Sequence, residues 1–551
     1  MRIKKMLAVL SAAVITMSGA AFAEMSVMTE NIFTTESVCA EESKTTELLN
    51  SHSAESHLLG ICDGSLPDKT FQMAGRTYNQ GMVFAVNNKD TYVTFNIKDK
   101  NIRNLSFDLG HAEDVSKVIG EKSESANASA VLTVEVDGYS EEIITLDPED
   151  GIYRFNSAEH DLRDLSTASE ITLRLDSKSS LAKYSYYAFA NISVNEEAAP
   201  EYTYPQYNTP EEFINSSFYT EGVTAHDGKD GTKDYFMKGR EYYQGLKIDK
   251  SGYACFNVED LEKIEFTMGQ IDNGNHSTMK LTIMLDGEIY DKFDEYEVSW
   301  RDMLETVTID VSNATTLYIS RDDSCYEQFI ALGDITIDDK TPEEISETKN
   351  YANADEFVAA AFNAYEFEYS EEIMISGEKK TGFIPNDYNT EGNICFNVEN
   401  IGTVSFKVAV YDDRNESNTL RVSLDAVEAP NGQVKLTPDM AISETIVVDT
   451  SKSSVLCLET DKDYAGYCIV DFEISKDAPT GDNVISPDAV AATPGDANGD
   501  NEITVRDCAT IAKALAKGEI SDLPASADFN GDGEVTVRDA AAIARELSKK
   551  K

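Results

Sequence analysis

The sequence is poor in tryptophan, cysteine and positive charge. Trp300 is the single tryptophan among 551 residues, and the eight cysteines include no Cys-x-x-Cys pair. The absence of such pairs excludes the common thiolate metal sites. Disulfides within single modules remain an alternative, and the sequence does not fix their pairing. Lysine and arginine number 47 against 99 aspartates and glutamates, which gives a net charge of −52. A surface this acidic repels nucleic acid and anionic membranes, so neither is expected as a partner.

Recognisable catalytic motifs are also missing. The chain has no P-loop, no Gly-x-Ser-x-Gly elbow and no His-Glu-x-x-His pair, the patterns that hold phosphates, nucleophilic serines and zinc. It has no alternating βα pattern long enough for a TIM barrel. Asp108 with His111 comes nearest to a catalytic pair, and a structural role is the simpler interpretation. With 99 acidic residues, carboxylate pairs of the kind that glycoside hydrolysis needs arise by chance and are uninformative.

The N-terminus has the order of a secretory signal. Residues 1–5 are basic, residues 6–17 are apolar, and residues 21–23 read Ala-Phe-Ala, the small-residue pattern that precedes a cleavage site. The apolar stretch is shorter than the roughly 18 residues that cross a bilayer, and no later stretch reaches that length. We therefore expect a secreted, extracellular protein without membrane insertion, and a disordered segment over residues 24–46.

An internal repeat dominates the next 430 or so residues, and repeats of this kind indicate tandem units. Residues 94–97 (Thr-Phe-Asn-Ile), 255–258 (Cys-Phe-Asn-Val) and 395–398 (Cys-Phe-Asn-Val) match one another. Each match is followed by runs that alternate apolar and polar residues and are rich in Val, Ile, Phe, Tyr and Thr. Such alternation predicts strands with one buried face, and many short strands predict a β-sandwich.

The predicted fold class is therefore mainly β: three tandem antiparallel β-sandwich modules of jelly-roll type, followed by a small all-α EF-hand-like unit. Module 1 is predicted over residues 47–196, module 2 over residues 202–338 and module 3 over residues 351–475. Residues 476–494 contain proline and glycine among small polar residues, which predicts a flexible tether. The C-terminal unit follows at residues 495–551.

Two twelve-residue segments of the C-terminal unit carry oxygen atoms in the pattern that calcium requires. Calcium takes six to eight oxygens, which such a loop supplies from positions 1, 3, 5, 7, 9 and 12. Segments 496–507 and 528–539 carry the same residue types at these six positions. They differ at position 6, the turn position, where the first has Asn501 and the second has Gly533. An apolar i,i+4 pair after each segment predicts an amphipathic helix. The predicted ligands of two Ca²⁺ ions are Asp496, Asn498, Asp500, Glu502, Thr504, Asp507, Asp528, Asn530, Asp532, Glu534, Thr536 and Asp539.

A duplicated loop-then-helix unit after a proline-containing tether resembles a type I dockerin over residues 495–551. The resemblance implies that the two units pack with near two-fold symmetry and bind a cohesin module of a scaffoldin, which assembles a cellulosome. It also implies that loop positions 10 and 11 and the following helix recognise the cohesin. The recognition residues implied are Val505, Arg506, Lys513, Lys517, Val537, Arg538 and Arg545. Because both copies carry Val-Arg, binding in either of two orientations is implied.

The β-sandwich modules resemble the NPCBM family, a carbohydrate-binding type of sandwich. The resemblance is carried by a Gly-x-x-Tyr-x-x-Gly turn at residues 75–81 and 239–245, by a Phe-x-x-Gly strand at residues 107–110, and by Asp-Gly hairpins. Module 3 matches less well, since its turn at residues 377–382 has no tyrosine. Sugar binding needs exposed aromatic faces in a preformed site. The candidate aromatic contacts are Tyr78, Tyr186, Tyr187, Tyr242, Tyr243 and Tyr326.

These observations predict a secreted, non-catalytic cellulosome component. The dockerin attaches it to a cohesin, and the sandwiches present plant cell-wall glycan-binding modules or act as spacers for polysaccharide degradation. Two alternatives stay open. The first is a glycoside hydrolase of plant polysaccharide whose active site lies in an unrecognised sandwich. The second is a structural adaptor that binds another protein.

Overall fold

The computed structural model describes residues 44–87, 91–120, 125–178, 183–195, 202–228, 235–272, 277–291, 293–321, 328–385, 392–415, 417–460, 465–480 and 484–487, and in the C-terminal unit residues 495, 497, 503–517, 523, 527, 529 and 535–549. Within these ranges the chain is mainly antiparallel β-sheet and ends in two longer helices. The predicted fold class is thereby confirmed. The predicted signal segment lies outside the described residues.

Module 1 is a sandwich of two antiparallel sheets. Its elements are α1 (Lys44–Leu49), β1 (His52–Ser56), β2 (Leu58–Asp63), β3 (Phe71–Met73), β4 (Arg76–Tyr78), β5 (Gln80–Val86), β6 (Thr91–Asn96), β7 (Leu105–Asp114), α2 (Ser116–Ile119), β8 (Ala130–Val136), β9 (Tyr139–Leu146), β10 (Ile152–Asn156), β11 (Glu170–Ser177), β12 (Ser185–Val194) and β13 (Tyr202–Thr203). One sheet has the order β1-β6-β11-β8-β9, and the other β13-β4-β3-β7-β12-β5-β2, with β10 beside β7. Both contribute to one core, in which Phe107 lies between Phe155 and Phe189.

Module 2 repeats this arrangement with one long strand shared between its two faces. Its elements are α3 (Pro210–Ile214), β14 (Tyr219–His226), β15 (Tyr235–Met237), β16 (Arg240–Tyr242), β17 (Gly245–Asn257), β18 (Lys263–Gln270), β19 (Thr278–Leu285), β20 (Glu288–Ile289), β21 (Tyr296–Ser299), β22 (Glu305–Asp310), β23 (Thr316–Arg321), β24 (Ile330–Ile337) and β25 (Glu347–Thr348). Strand β17 pairs with β24 through its first residues and with β23 through its last. It therefore corresponds to β5 and β6 of module 1 joined without a break.

Module 3 has the same two-sheet plan and one disulfide. Its elements are α4 (Ala354–Ala359), β26 (Phe362–Tyr365), β27 (Phe367–Ile375), β28 (Glu378–Pro385), β29 (Asn393–Asn397), β30 (Thr403–Asn415), β31 (Asn418–Leu424), β32 (Val427–Leu436), β33 (Ile446–Asp449), β34 (Val455–Thr460), β35 (Ala465–Ser475) and β36 (Val484–Ile485). The sheets have the orders β26-β29-β34-β31-β32 and β27-β28-β35-β30-β33-β36. Cys395 on β29 is bonded to Cys457 on the adjacent β34.

The same tight hairpin recurs in all three modules. Asp137, Asp286 and Asp425 each adopt a positive φ at the first turn position, as a type I′ hairpin requires. Each carboxylate also accepts hydrogen bonds from two successive backbone N–H groups at the start of the neighbouring strand, at distances between 2.8 and 3.0 Å. Module 3 keeps the turn with Ala426 at φ +65° in place of glycine.

Three segments predicted as disordered or linking are in fact folded in part. Helix α1 begins at Lys44, within the segment expected to be disordered, and its Leu48 and Leu49 are buried in the module 1 core. The segment between modules 2 and 3 supplies β25, which adds to the edge of β16. Tyr202–Thr203, predicted as the start of module 2, instead forms β13 and pairs with β4 of module 1. Part of the predicted tether forms β36, which pairs in parallel with β33. Backbone hydrogen bonding, which composition does not reveal, decides these cases.

Candidate functional site

The C-terminal unit consists of two loop-helix copies packed on each other. Helix α5 (Val505–Lys517) and helix α6 (Val537–Lys549) each turn one apolar side inward. Ile511 and Ile543 are both fully buried in the shared core, as the apolar spacing predicted. The Cys508 thiol lies 3.3 Å from the Ala540 carbonyl oxygen and joins the first turns of the two helices. Ile511 with Ile543, and Cys508 with Ala540, are equivalent positions of the two copies, so the seam between the helices joins matching residues.

The last position of the first loop is tied back to the loop itself. Asp507 is fully buried. One carboxylate oxygen accepts the N–H of Ala497 at 2.9 Å, and the other accepts the N–H of Thr504 at 2.8 Å. The Thr504 hydroxyl lies 3.3 Å from the same carboxylate oxygen and accepts the N–H of Arg506. The carboxylate thus connects the start of the loop to the start of α5.

The second loop repeats this geometry. Asp539 is fully buried, and one of its carboxylate oxygens accepts the N–H of Thr536 at 2.8 Å and lies 3.3 Å from the Thr536 hydroxyl. Thr536 in turn accepts the N–H of Arg538 at 3.2 Å. Two buried carboxylates, each held at the end of an oxygen-rich loop, fit the hard oxygen ligands that calcium prefers. A buried carboxylate is otherwise costly, so a bound divalent cation suits this environment.

The remaining predicted ligands lie outside the described residues. These are Asp496, Asn498, Asp500, Glu502, Asp528, Asn530, Asp532 and Glu534. In the part of the chain that the structure describes, no group of three or more His, Cys, Asp or Glu side chains is gathered as a metal site. The structure brings Thr504 together with Asp507 and Thr536 together with Asp539, and the role of all twelve residues as ligands stays a prediction.

The residues predicted to recognise a cohesin are all exposed. Val505 and Val537, both apolar, leave 74% and 70% of their surface open to solvent at the first turn of each helix. The other five, all basic and exposed, are Arg506, Lys513, Lys517, Arg538 and Arg545. Exposed valines flanked by arginine on an otherwise acidic protein form a surface suited to protein contact.

Residues 494–548 match the family model of the dockerin type I domain. The C-terminal unit is a type I dockerin. The match spans both loops and both helices, so it includes every predicted ligand and every predicted recognition residue. Across the described residues of the whole chain, no helix is long and apolar enough to span a membrane.

Four of the six tyrosines predicted to contact sugar are buried. Tyr78 and Tyr242 are each 1% exposed, and Tyr78 stacks on Phe71 just as Tyr242 stacks on Tyr235. Tyr187 is fully buried and donates its hydroxyl hydrogen to backbone carbonyls of Ala128 and Leu146. Tyr186 is 8% exposed. Buried rings cannot stack on a sugar, so these positions count against the sugar contacts expected from the tyrosine pattern.

Of the other two tyrosines, Tyr243 borders solvent and Tyr326 lies outside the described residues. Tyr243 is half-buried beside a recess of about 330 Å³. The residues that line the recess with it are Glu211, Asp227, Gly228, Gln244, Glu343 and Glu344. Among the five described candidates, Tyr243 is therefore the one whose ring is not buried, and the recess beside it is flanked by carboxylates.

His111 and Asp108 have separate structural partners. His111 is 3% exposed, and its Nε2 lies 2.7 Å from the Ser125 hydroxyl. Burial lowers the pKa of His111 to about 4, so it is neutral at physiological pH. Asp108 accepts hydrogen bonds from Arg154 and Asn191. The structural interpretation of this pair is therefore the one that the contacts support.

Several solved structures of carbohydrate-binding modules are distantly similar to this chain. Tandem CBM51 modules of a family 98 glycoside hydrolase from Streptococcus pneumoniae are 12% identical over 52% of this chain and 96% of theirs, with a TM-score of 0.18. The M60 catalytic domain with two CBM51 domains of ZmpB from Clostridium perfringens is 12% identical over 71% of this chain and 55% of its own, with a TM-score of 0.20. No curated protein matches the chain. With similarity this low, the assignment as β-sandwiches depends on the sheets themselves.

Proposed function

We propose that this protein is a secreted component of a cellulosome that attaches to a cohesin module of a scaffoldin through its dockerin. The observation that carries the proposal is the duplicated loop-helix unit, with Asp507 and Asp539 buried in equivalent positions. A dockerin has no use without a cohesin partner, and an extracellular cohesin requires secretion, which the predicted signal segment supports. The three sandwiches are the cargo that the dockerin delivers.

Two calcium ions, one in each loop, are proposed to order the dockerin. Asp507 and Asp539 would close the sites, with Thr504 and Thr536 at position 9 and the loop residues 496–502 and 528–534 supplying the other oxygens. When bound, calcium would supply the positive charge and the coordination that allow these otherwise repelling carboxylates to lie close together. The helices α5 and α6 would then present Val505, Val537 and the adjacent arginines to the cohesin.

A calcium titration of the whole protein tests this proposal. Far-UV circular dichroism and cohesin pull-down are measured with the wild type, with Asp496→Ala combined with Asp528→Ala, and with Ser548→Ala, an exposed residue beyond both loops. Calcium is expected to raise helicity and cohesin binding in the wild type and in Ser548→Ala only. Helicity and cohesin binding that stay intact in the double variant would refute the calcium sites.

We further propose that the sandwiches are non-catalytic modules that bind plant polysaccharide, with Tyr243 as a contact in module 2. The recess beside Tyr243 is lined by the carboxylates of Glu211, Asp227, Glu343 and Glu344, which can accept hydrogen bonds from sugar hydroxyl groups. Glycan-array binding of the wild type is compared with that of Tyr243→Ala and of Tyr139→Ala, which removes a 53% exposed ring elsewhere. Loss of binding in Tyr243→Ala alone is expected.

The same preparation separates the alternatives. Turnover of any polysaccharide by the wild type would favour a hydrolase with an unrecognised active site over a non-catalytic module. The absence of both glycan binding and turnover would favour a structural adaptor. Because cohesin binding is measured separately, failure of glycan binding would leave the dockerin proposal intact.

A further inference from the structure

The Gly-Arg turns that carry much of the resemblance to a sugar-binding family lie at the boundaries between modules. The turn between β3 and β4 contains Gly75, and the turn between β15 and β16 contains Gly239. A Cβ at Gly75 would lie 2.9 Å from the Cβ of Asn257 in module 2. A Cβ at Gly239 would lie 2.7 Å from the Cβ of Asn397 in module 3. Both turns therefore press against the next module so closely that no side chain fits.

The asparagine that meets each turn makes the same two hydrogen bonds at both boundaries. Asn257 donates its amide hydrogen to the Ala74 carbonyl at 2.8 Å, and its oxygen accepts the N–H of Glu259 at 3.1 Å. Asn397 donates to the Lys238 carbonyl at 2.9 Å, and its oxygen accepts the N–H of Glu399 at 3.1 Å. Both asparagines are at most 2% exposed. Each side chain thus connects one module to the next through fully buried polar contacts.

Arginine and glutamate face each other across both boundaries. Arg76 Nε lies 2.7 Å from a Glu259 carboxylate oxygen, and the guanidinium lies 4.3 Å from the ring centroid of Tyr202. Tyr202, on the linking strand β13, also donates to Glu259 at 2.8 Å. At the second boundary Arg240 lies 4.0 Å from Glu399, which also accepts from Thr348 on the linking strand β25. The linking strand therefore joins the same cluster in both cases.

In the described structure, the asparagine turn of module 1 and the glycine turn of module 3 meet no other module. At each of them the charged residue has the opposite sign to its counterpart at the boundaries. In module 1 the asparagine is Asn96, which makes the same local turn with Lys98 at 3.1 Å but is exposed. Lys98 stands where modules 2 and 3 carry glutamate. In module 3 the turn has Gly377 followed by Glu378 where modules 1 and 2 carry arginine, and nothing described lies within 4 Å of a Cβ at Gly377. Arginine after the turn glycine, and glutamate two residues after the asparagine, therefore occur at the two boundaries where the halves meet.

We infer that the Gly-Arg turn of one module and the Asn-x-Glu turn of the next are the two halves of an intermodular latch. The latch holds the three sandwiches in a fixed relative orientation, and its partner surface is the next module of the same chain. Lys98 would repel a turn arginine and Glu378 would repel the glutamate of an Asn-x-Glu turn, so neither of these two turns matches a latch half of modules 2 or 3. The first boundary adds further contacts, such as the 2.7 Å hydrogen bond from Asn127 to the Tyr253 hydroxyl. This role is independent of whether the sandwiches bind glycans.

Small-angle X-ray scattering of the whole protein, with calcium present, tests the latch. Asn257→Ala removes both the local turn and the latch contact, whereas its matched control Asn96→Ala removes only the local turn. The first variant is expected to increase the radius of gyration and the second to leave it unchanged. Circular dichroism checks that both variants keep their strands. Equal scattering from Asn257→Ala and Asn96→Ala would overturn the inference.

Charge reversal supplies a second measurement that does not depend on removing a side chain. Arg76→Glu and Glu259→Arg are each expected to increase the radius of gyration and to speed proteolytic cleavage between modules 1 and 2. The combined variant restores an opposite pair and is expected to recover most of the wild-type values. Glu378→Arg, at a turn that meets no other module within the described residues, is expected to change neither quantity. A combined variant that behaves like the single variants would refute pairing across the boundary.

Discussion

Ala426 occupies a backbone conformation that residues with a Cβ avoid. Its φ is +65°, and the corresponding hairpin positions in modules 1 and 2 are Gly138 and Gly287, both at +79°. The left-handed region costs a non-glycine residue about 1–2 kcal/mol. We therefore expect Ala426→Gly to raise the free energy of unfolding of module 3 by about 1 kcal/mol, measured by calorimetry as a higher transition temperature.

Gly138→Ala is the matched reverse experiment. Nothing described lies within 4 Å of a Cβ at Gly138, so the change adds backbone strain without a clash. It is expected to lower the free energy of unfolding of module 1 by about 1 kcal/mol. A transition temperature that is unchanged by Ala426→Gly would show that module 3 relaxes the turn at no cost.

Glu113 is a buried carboxyl group beneath the first Gly-Arg turn, where it accepts the N–H of Ala74 at 2.6 Å. Burial raises its pKa from 4.5 to about 8. Because the folded state holds a proton that the unfolded state releases, this stabilisation is complete below about pH 4.5 and is lost as the pH rises through about 8. We expect module 1 to become less stable between these values.

Glu113→Gln tests this effect, since glutamine can accept the same backbone hydrogen bond without titrating. The variant is expected to show a smaller loss of transition temperature between pH 5 and pH 8 than the wild type. Asp272 occupies the same place in module 2, with its pKa raised by burial to about 6. Asp272→Asn should therefore act only in the lower part of the range. An identical pH dependence in Glu113→Gln and the wild type would contradict the prediction.

Helices α5 and α6 each have one face that packs in the dockerin core and one face that is exposed to solvent. Ile543 is fully buried in the seam between the helices, whereas Val537 is 70% exposed. Ile543→Ala is expected to destabilise the calcium-bound dockerin by about 2–5 kcal/mol, and Val537→Ala by less than about 0.5 kcal/mol. Thermal loss of helicity measures both. If Val537 contacts a cohesin, Val537→Ala weakens cohesin binding and leaves helicity unchanged. Lower helicity with unchanged cohesin binding would contradict this prediction.

Strands that carry the tyrosine motif act in packing instead of presenting side chains to solvent. Tyr78 and Tyr242 point into small apolar clusters beneath the Gly-Arg turns. A Cβ at Gly333 would lie 2.3 Å from the Tyr242 ring, so glycine at that site makes room for the tyrosine. The motif therefore supports the turn that the latch uses.

At the scale of the whole molecule, Trp300 reports on the second boundary. It packs with Met303 against Phe362 and the Cys395–Cys457 disulfide of module 3. Because it is the single tryptophan, its fluorescence measures this boundary without labelling. We expect Arg240→Glu to shift the emission of Trp300 to longer wavelength by exposing the ring to water.

Arg76→Glu opens the other boundary and should leave the emission of Trp300 unchanged. This contrast separates local opening from general unfolding, since unfolding would affect both variants alike. A shift of equal size in both variants would show that the two boundaries are not independent. No shift in either would show that Trp300 stays covered without the arginine.

Much of the dockerin could be predicted from the sequence because its sites are local. Twelve consecutive residues bring the ligands together, and an i,i+4 pair places Ile511 and Leu515 on one face of a helix. The β-sandwich class was also predictable, since strand alternation is a property of neighbouring residues. The signal segment, the complete ligand sets and the cohesin contacts stay predictions.

The tertiary structure alone decided what the Gly-Arg-x-Tyr turns do. Sequence resemblance indicated sugar contacts at Tyr78 and Tyr242, but whether a ring faces solvent depends on which distant strands pack over it. The latch joins residues 183 positions apart in Arg76 and Glu259, and no local pattern specifies such a contact. Its charges were nevertheless present in the sequence: arginine and glutamate at the two boundaries, with Lys98 and Glu378 at the unpaired turns. Only the packed modules showed that these residues meet.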